Sequence, residues 1–221
     1  MSRGLIVAID GPSGVGKGTI ARRVAARLGY RHVDTGAMYR AVAWAAANAG
    51  IPLDAEPRVA QLAAAATIHV SDDLVEINGH DVTGAIRTPD IDRGASAVAR
   101  LPAVRAILVE RQRALGAGGA IVMEGRDIGT VVFPAADVKV YLDAAPEERA
   151  RRRAADPAHA GHATRLLLAE VAAELDARDR ADTTRQSSPL MPAADAHVID
   201  TTGLSIDEVT KTVLQIAGSR Q

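Results

Sequence analysis

The chain has 221 residues, 48% hydrophobic and 24% charged, which is enough for one substantial core and ordinary for a soluble globular protein. A net charge of −1 gives no whole-molecule pull toward nucleic acid or anionic membrane, and 2% aromatic residues leave little to stack on bases. Cysteine is absent, so disulfides and thiolate zinc sites are excluded, and no run approaches the ~20 apolar residues of a membrane span, so a cytoplasmic protein is expected.

Leu5-Ile6-Val7-Ala8-Ile9 is a continuous apolar run, too short for a signal peptide and suited to a strand buried on both faces. Gly11-Pro12-Ser13-Gly14-Val15-Gly16-Lys17 follows, with the G-x-x-x-x-G-K spacing of a phosphate-binding loop. Ile20, Val24 and Leu28 then recur at helical spacing until Gly29. Arg31-His32-Val33 reads as a second strand, and Ala37 to Ala49 as a helix ended by Gly50 and Pro52.

Thr67-Ile68-His69-Val70 and Leu74-Val75-Glu76-Ile77 alternate, and Asn78-Gly79 is a strong hairpin turn, so about 67–87 is expected to be a small antiparallel insertion. Helices resume, with Pro102 opening a long one to about Leu115. Ala120–Met123 and Val138–Leu142 are further buried strands, and Pro146 starts an arginine-rich helix. Residues 156–163, with Pro, Gly, His159 and His162, read as a mobile loop; the two histidines lack a third metal ligand. His197–Asp200 is a last strand, and Ser205-Ile206-Asp207-Glu208 a capping box flanked by Leu204 and Val209. Strands alternating with helices predict an α/β fold with a central parallel sheet.

The strand, glycine-rich turn and helix start supply the setting that a phosphate-binding loop needs. Successive backbone N–H groups and the helix N-terminus face the phosphates, and Lys17 adds a full charge for the β- and γ-phosphates. The pattern then asks for Ser or Thr beside the metal, but this chain has Gly18, with Thr19 after it. The G-K-G-T sequence resembles the loop of nucleoside monophosphate kinases, which implies Mg²⁺ held largely by phosphates and water and Thr19 bonded to a phosphate.

Asp34–Arg40 and Glu124–Thr130 follow other strands, so both segments are expected at the same crevice as the loop. Arg40 and Arg126 can converge there on an anion, and Glu124 can hold Mg²⁺-bound water. Arg178–Arg185 and Arg149–Arg153 are charged clusters whose plain reading is a solvated or salt-bridged helix surface. Beside a phosphate loop, the second cluster reads instead as the root of a lid. Arg178 and Asp182, four apart and on one face if the segment is helical, are expected to act together on a sugar hydroxyl, the carboxylate accepting from it and the arginine either orienting the carboxylate or donating.

The motifs IDGPSGVGKGT, VDTGAMYR, GASAVARLPAVR, MEGRDIGTVVFP, RDRADTTR and SSPLMPAADAHVIDTTGLSIDEV together resemble the bacterial cytidylate kinase family, in order from about Leu5 to Ala217. The resemblance implies a single kinase domain built on the P-loop NTPase core. In it a core of about 1–36, 116–148 and 186–221 carries a lid at about 149–165 and a nucleoside-monophosphate-binding part at about 37–115. It implies Mg²⁺-dependent transfer of the ATP γ-phosphoryl group to CMP or dCMP by a monomer, with no nucleic-acid or membrane partner. ATP would meet Gly11, Pro12, Ser13, Gly14, Val15, Gly16, Lys17, Gly18 and Thr19. The CMP phosphate would meet Thr35, Arg40, Arg126 and Arg185, with Tyr39 beside them. Ser96, Arg105 and Asp127 would read cytosine, Arg178 and Asp182 would hold the ribose, and Arg152 or Arg153 would reach the moving phosphoryl group. Glu124 stands where some relatives have Asp, and Thr35 where many have Ser. Two rivals stay open: another small-molecule kinase on the same core, for UMP, AMP or shikimate, and a nucleotide-dependent regulatory or RNA-binding module.

Overall fold

A computed structural model describes residues 3–156 and 168–220. Its core is a five-stranded sheet of β1 (Ile6–Asp10), β2 (Arg31–Asp34), β6 (Ile121–Gly125), β7 (Val138–Asp143) and β8 (His197–Asp200). The order is β2-β6-β1-β7-β8, and each neighbouring pair is parallel. The apolar run at the start of the chain is central because it can be buried on both sides. Val7 and Ile9 pack with Val24 of α1 (Lys17–Leu28) and Val213 of α8 (Ile206–Gly218). Ile6 and Ala8 face the other way, with Met123 and with Val109 of α5 (Pro102–Gly116). Alternating side chains along one strand thus serve two cores, and burying each of Val7 and Ile9 contributes about 1.5–3 kcal/mol.

The insertion is a separate antiparallel sheet of β3 (Ile68–Val70), β4 (Val75–Ile77) and β5 (His80–Asp81). Ile77 pairs with His80 across Asn78-Gly79, whose φ values of 52° and 78° are those of a two-residue hairpin turn. Val75 and Ile77 pack on Ala37 and Ala41 of α2 (Thr35–Asn48), which carries Met38 and Val42 against a second helical cluster. That cluster includes Val59 of α3 (Glu56–Ala65) and Val98 of α4 (Pro89–Val98). Sequence patterning leaves α3 unassigned, since only Val59 and Ala63 of its ten residues are buried and the apolar stripe is too thin to stand out. The α2 helix starts two residues before the sequence suggests, because Asp34 Oδ1 accepts the Ala37 N–H at 3.2 Å and caps it.

The arginine-rich helix is α6 (Pro146–Ala154), and α7 (Leu168–Thr184) carries the last charged cluster. Of the expected lid and its loop, residues 157–165 lie outside the described residues. The capping box forms as expected: Glu208 N–H reaches Ser205 Oγ and the Glu208 carboxylate accepts the Ser205 N–H at 2.8 Å. Among the described residues, no helix is long and apolar enough to cross a membrane.

Candidate active site

The carboxyl ends of β1, β2 and β6 open onto one cleft of about 820 Å³. Of the site residues expected from sequence, only Gly11 and Pro12 do not line it. The phosphate loop leaves β1 at Asp10, whose buried carboxylate accepts the Ile128 and Gly129 N–H groups at 2.8 and 2.7 Å. Those donors begin a π-helical turn, Ile128–Val132, directly after Arg126-Asp127, and so fix where that pair projects. Burial pushes the Asp10 carboxyl up to about 6, against the pull of its two N–H bonds. Gly14 has φ +82°, and a Cβ there would lie 2.8 Å from the Arg149 carbonyl oxygen, so the loop packs backbone to backbone on α6. Arg149 also donates to Ser13 O at 3.2 Å and pairs with Asp179, which accepts the Ser13 N–H.

Lys17 is buried and donates to Pro12 O at 2.6 Å. Burial lowers its pKa well below the ordinary lysine range; Arg126 adds to this and Glu124 opposes it. Beside it, a Cβ on Gly18 would lie 3.1 Å from Glu124 Oε1. A carboxylate from β6 thus stands beside the position where other phosphate loops carry a hydroxyl. Glu124 Oε1 is bonded to His32 Nε2 at 3.1 Å, and the His32 Nδ1 is 2.5 Å from Asp72 Oδ1. One hard carboxylate group beside the phosphate loop suits a cation that keeps most of its ligands as water and phosphate oxygens. Among the described residues there is no group of three or more His, Cys, Asp or Glu that could hold a metal ion by themselves.

Deeper in the cleft, acids and bases are already matched. Arg105 and Asp127 form a buried pair, and Arg105 lies 5.5 Å from the Tyr39 ring centroid. Burial pushes the Tyr39 hydroxyl up to about 12, with Arg105 opposing. Arg126 Nε is 2.9 Å from Asp182 Oδ2, Arg185 lies 3.6 Å from Asp182 and 3.7 Å from Asp127, and Arg40 donates to Asp34 at 2.6 Å. Thr35 Oγ1 donates to the Glu124 carbonyl at 2.7 Å, and Ser96 Oγ to the Asp92 carbonyl at 3.2 Å.

Arg178 acts on Asp182 through its charge, helping Arg126 and Arg185 to hold that carboxyl below its ordinary range against burial. Arg178 leans toward Asp92 at 3.9 Å, while the Asp182 carboxylate is taken by Arg126 and Arg185. Helical spacing alone cannot foresee partners from other elements. Burial, then repulsion from Arg126, pushes Arg178 down to about 10. The two lid-root arginines also part company. Arg152 bonds Thr201 O, Thr201 Oγ1 and Val15 O, at 2.7, 2.9 and 3.3 Å, whereas Arg153 reaches across the cleft to Asp92.

Several buried N–H groups here have no hydrogen-bond partner among the described residues: Nε of Arg40, Arg105 and Arg178, and Nη2 of Arg185. Each unmet buried donor costs free energy, and all four of these arginines line the cleft. Sequence reasoning did not single out His32, Asp72, Asp92 or Asp179. Each is an ordinary polar residue in its own stretch, and its importance lies in partners tens of residues away.

A family model described as Cytidylate kinase matches residues 7–219. The chain is 49% identical to a protein named cytidylate kinase from Solibacter usitatus, over 98% of this chain and 93% of that protein. It is 47% identical to one of the same name from Pelotomaculum thermopropionicum, over 94% of this chain and 93% of that protein. It is also 48% identical to a bifunctional pantoate ligase/cytidylate kinase from Synechococcus, over 95% of this chain but 44% of that longer protein. Among solved structures, an uncharacterized Eubacterium ventriosum protein shares the fold, with TM-score 0.55 and 9% identity over 97% of this chain and 98% of the other.

Proposed function

The chain belongs to the cytidylate kinase family, and on that premise we propose that it transfers the γ-phosphoryl group of ATP directly to CMP and dCMP, with Mg²⁺. The observation that carries this reading is the two-ended cleft. A phosphate loop stands at one end and a cluster of buried, incompletely bonded arginines at the other, within one space of about 820 Å³.

The loop N–H groups and Lys17 bind the ATP phosphates, and Thr19 bonds one of them. Arg40, Arg126, Arg185 and Thr35 hold the acceptor phosphate, drawing its oxyanion into line. That oxygen is already a nucleophile, so no general base is needed. Lys17 and the arginines offset the repulsion between two anions and stabilise charge on the equatorial oxygens. Mg²⁺ would be held by phosphates and water with Glu124 in the outer shell, and when bound it supplies further neutralisation. Ser96, Arg105 and Asp127 read the base. Cytosine needs an acceptor near N4 and donors near N3 and O2, and a carboxylate beside a guanidinium offers that pattern. Asp182 and Arg178 face the ribose. Arg153, on α6, is the lid-root arginine free to exchange its carboxylate partner for a phosphoryl oxygen, while Arg152 braces the loop through Val15.

The division into core, lid and monophosphate-binding part belongs to this reading, as does action as a monomer. A panel of CMP, dCMP, UMP, AMP and shikimate with ATP tests it. ADP release should be fast with CMP and dCMP and lower by orders of magnitude with the rest. Equal rates with AMP or shikimate, or none with any acceptor, would sink it.

A further inference from the structure

His32 is a buried ionisable side chain that the reaction as read above does not use. It stands on β2, with its side chain 2% exposed, and each ring nitrogen meets a carboxylate. Nε2 faces Glu124 Oε1 at 3.1 Å, and Nδ1 faces Asp72 Oδ1 at 2.5 Å. The ring thus bridges two carboxylates, one within hydrogen-bond reach of each nitrogen.

The two carboxylates belong to different parts of the molecule. Glu124 ends β6 in the main sheet, in register with Asp34 of β2 and Ile9 of β1. Asp72 lies in the turn between β3 and β4, which Ser71 closes by donating its N–H to Leu74 O at 2.9 Å. The Glu124 backbone is fixed by sheet pairing and by Thr35, but among the described residues its side-chain hydrogen bond is to His32. The carboxylate so held stands 3.1 Å from where a side chain on Gly18 would begin, over the first turn of α1.

We infer that His32 is a positioning residue for phosphoryl transfer: it holds the Glu124 carboxylate over Gly18 and ties it, through Asp72, to the antiparallel insertion. This rests on the role proposed for Glu124. A carboxylate hinged at one side-chain bond loses its aim when that bond goes, and small misplacements near reacting atoms are costly in rate. The insertion, remote from the phosphates, thereby bears on turnover through a chain of two hydrogen bonds.

The test measures kcat and KM for ATP and CMP, with melting midpoints, in His32→Leu, Glu124→Gln, the double variant, His32→Gln and Asp72→Asn. Glu124→Gln is expected to lower kcat by about ten-fold or more, and His32→Leu by about ten-fold with CMP KM nearly unchanged. The double variant should be no slower than Glu124→Gln alone, because His32 acts through that carboxylate. His32→Gln, which can still donate to Glu124, should recover part of the loss, and Asp72→Asn should cost a few-fold in kcat. Long-range ¹H–¹⁵N spectra of the imidazole give a readout apart from activity: the Nδ1 signal should move in Asp72→Asn and the Nε2 signal in Glu124→Gln.

A normal Glu124→Gln enzyme would overturn the role given to Glu124. An impaired Glu124→Gln beside a folded, normal His32→Leu would overturn this inference alone. Losses that multiply in the double variant would reduce His32 to a stabilising core residue. Should His32→Leu fail to fold, an Nε2 signal unmoved in Glu124→Gln or an unchanged kcat in Asp72→Asn would still defeat the proposal.

Discussion

The two ends of the cleft are built on opposite plans. At the phosphate loop the groups that face the cleft come from one contiguous stretch, Ser13 to Thr19, and on the proposed function its anion ligands are mostly backbone. At the far end they come from α2, α4, α5, the segment after β6, and α7 with its C-terminal flank, and they are side chains matched acid to base. A backbone cradle is preorganised by conformation and a side-chain cradle by mutual charge. The first should therefore fail locally and completely. The second should fail by degrees, since each guanidinium keeps other partners.

The largest effect should come from Lys17→Ala. It removes the one full charge at the backbone end, so kcat should fall on the order of a thousand-fold with the circular dichroism spectrum unchanged. A mutant with near-normal turnover would erase the contrast. At the side-chain end, uracil would set its O4 against Asp127 and its N3–H against Arg105, and each buried mismatch costs roughly 1–3 kcal/mol. Asp127→Asn and Arg105→Met should each narrow the CMP/UMP ratio of kcat/KM by tens-fold, mainly by weakening CMP. An unchanged ratio in both would mean that this buried pair does not face the base.

Gly14→Ala probes the cradle's geometry, not its charge. At φ +82° and 2.8 Å from the Arg149 carbonyl, a methyl group should cost about 1–3 kcal/mol in urea unfolding. Smaller again is Asp182→Ala, which should slow CMP and dCMP by unequal factors of a few-fold; equal losses would remove the carboxylate from the ribose.

The smallest expected effect concerns acid stability. Burial raises the Asp182 carboxyl, but Arg126, Arg178 and Arg185 outweigh burial and hold it below its ordinary value. Stability from such a group is present above the unfolded pKa and is lost as pH falls through the lower folded one. Melting midpoints followed from neutral pH into acid should accordingly fall less steeply in Asp182→Asn than in the parent. A parallel pair of curves would mean that the arginines do not act on Asp182 as a group.

The same contrast explains what could be read in advance. The loop was legible because spacing, strand and helix lie in one short stretch. The hairpin was legible because Asn78-Gly79 demands its own turn. The far end was legible chiefly as motifs of a familiar kind, and their pairings were not: Arg178 turns to Asp92, and Asp182 to Arg126. Pairing at that end is set by the packing of α4, α6 and α7 across the cleft, which no local period encodes. His32 was invisible for the same reason, with one partner 40 residues away and the other 92.

The central place of β1 has a consequence for how the chain comes into being. Ile6 pairs with Ile121, 115 positions later, and Val7 with Val138 on the other side. At about 5–20 residues per second of synthesis, this mostly apolar strand waits roughly 6–23 s for its first neighbour. The α1, β2 and α2 segments that emerge meanwhile cannot complete the main sheet around it. Nascent chains shorter than about 120 residues should thus stay open to proteases and holdases, with acquisition of resistance starting only once β6 clears the ribosome.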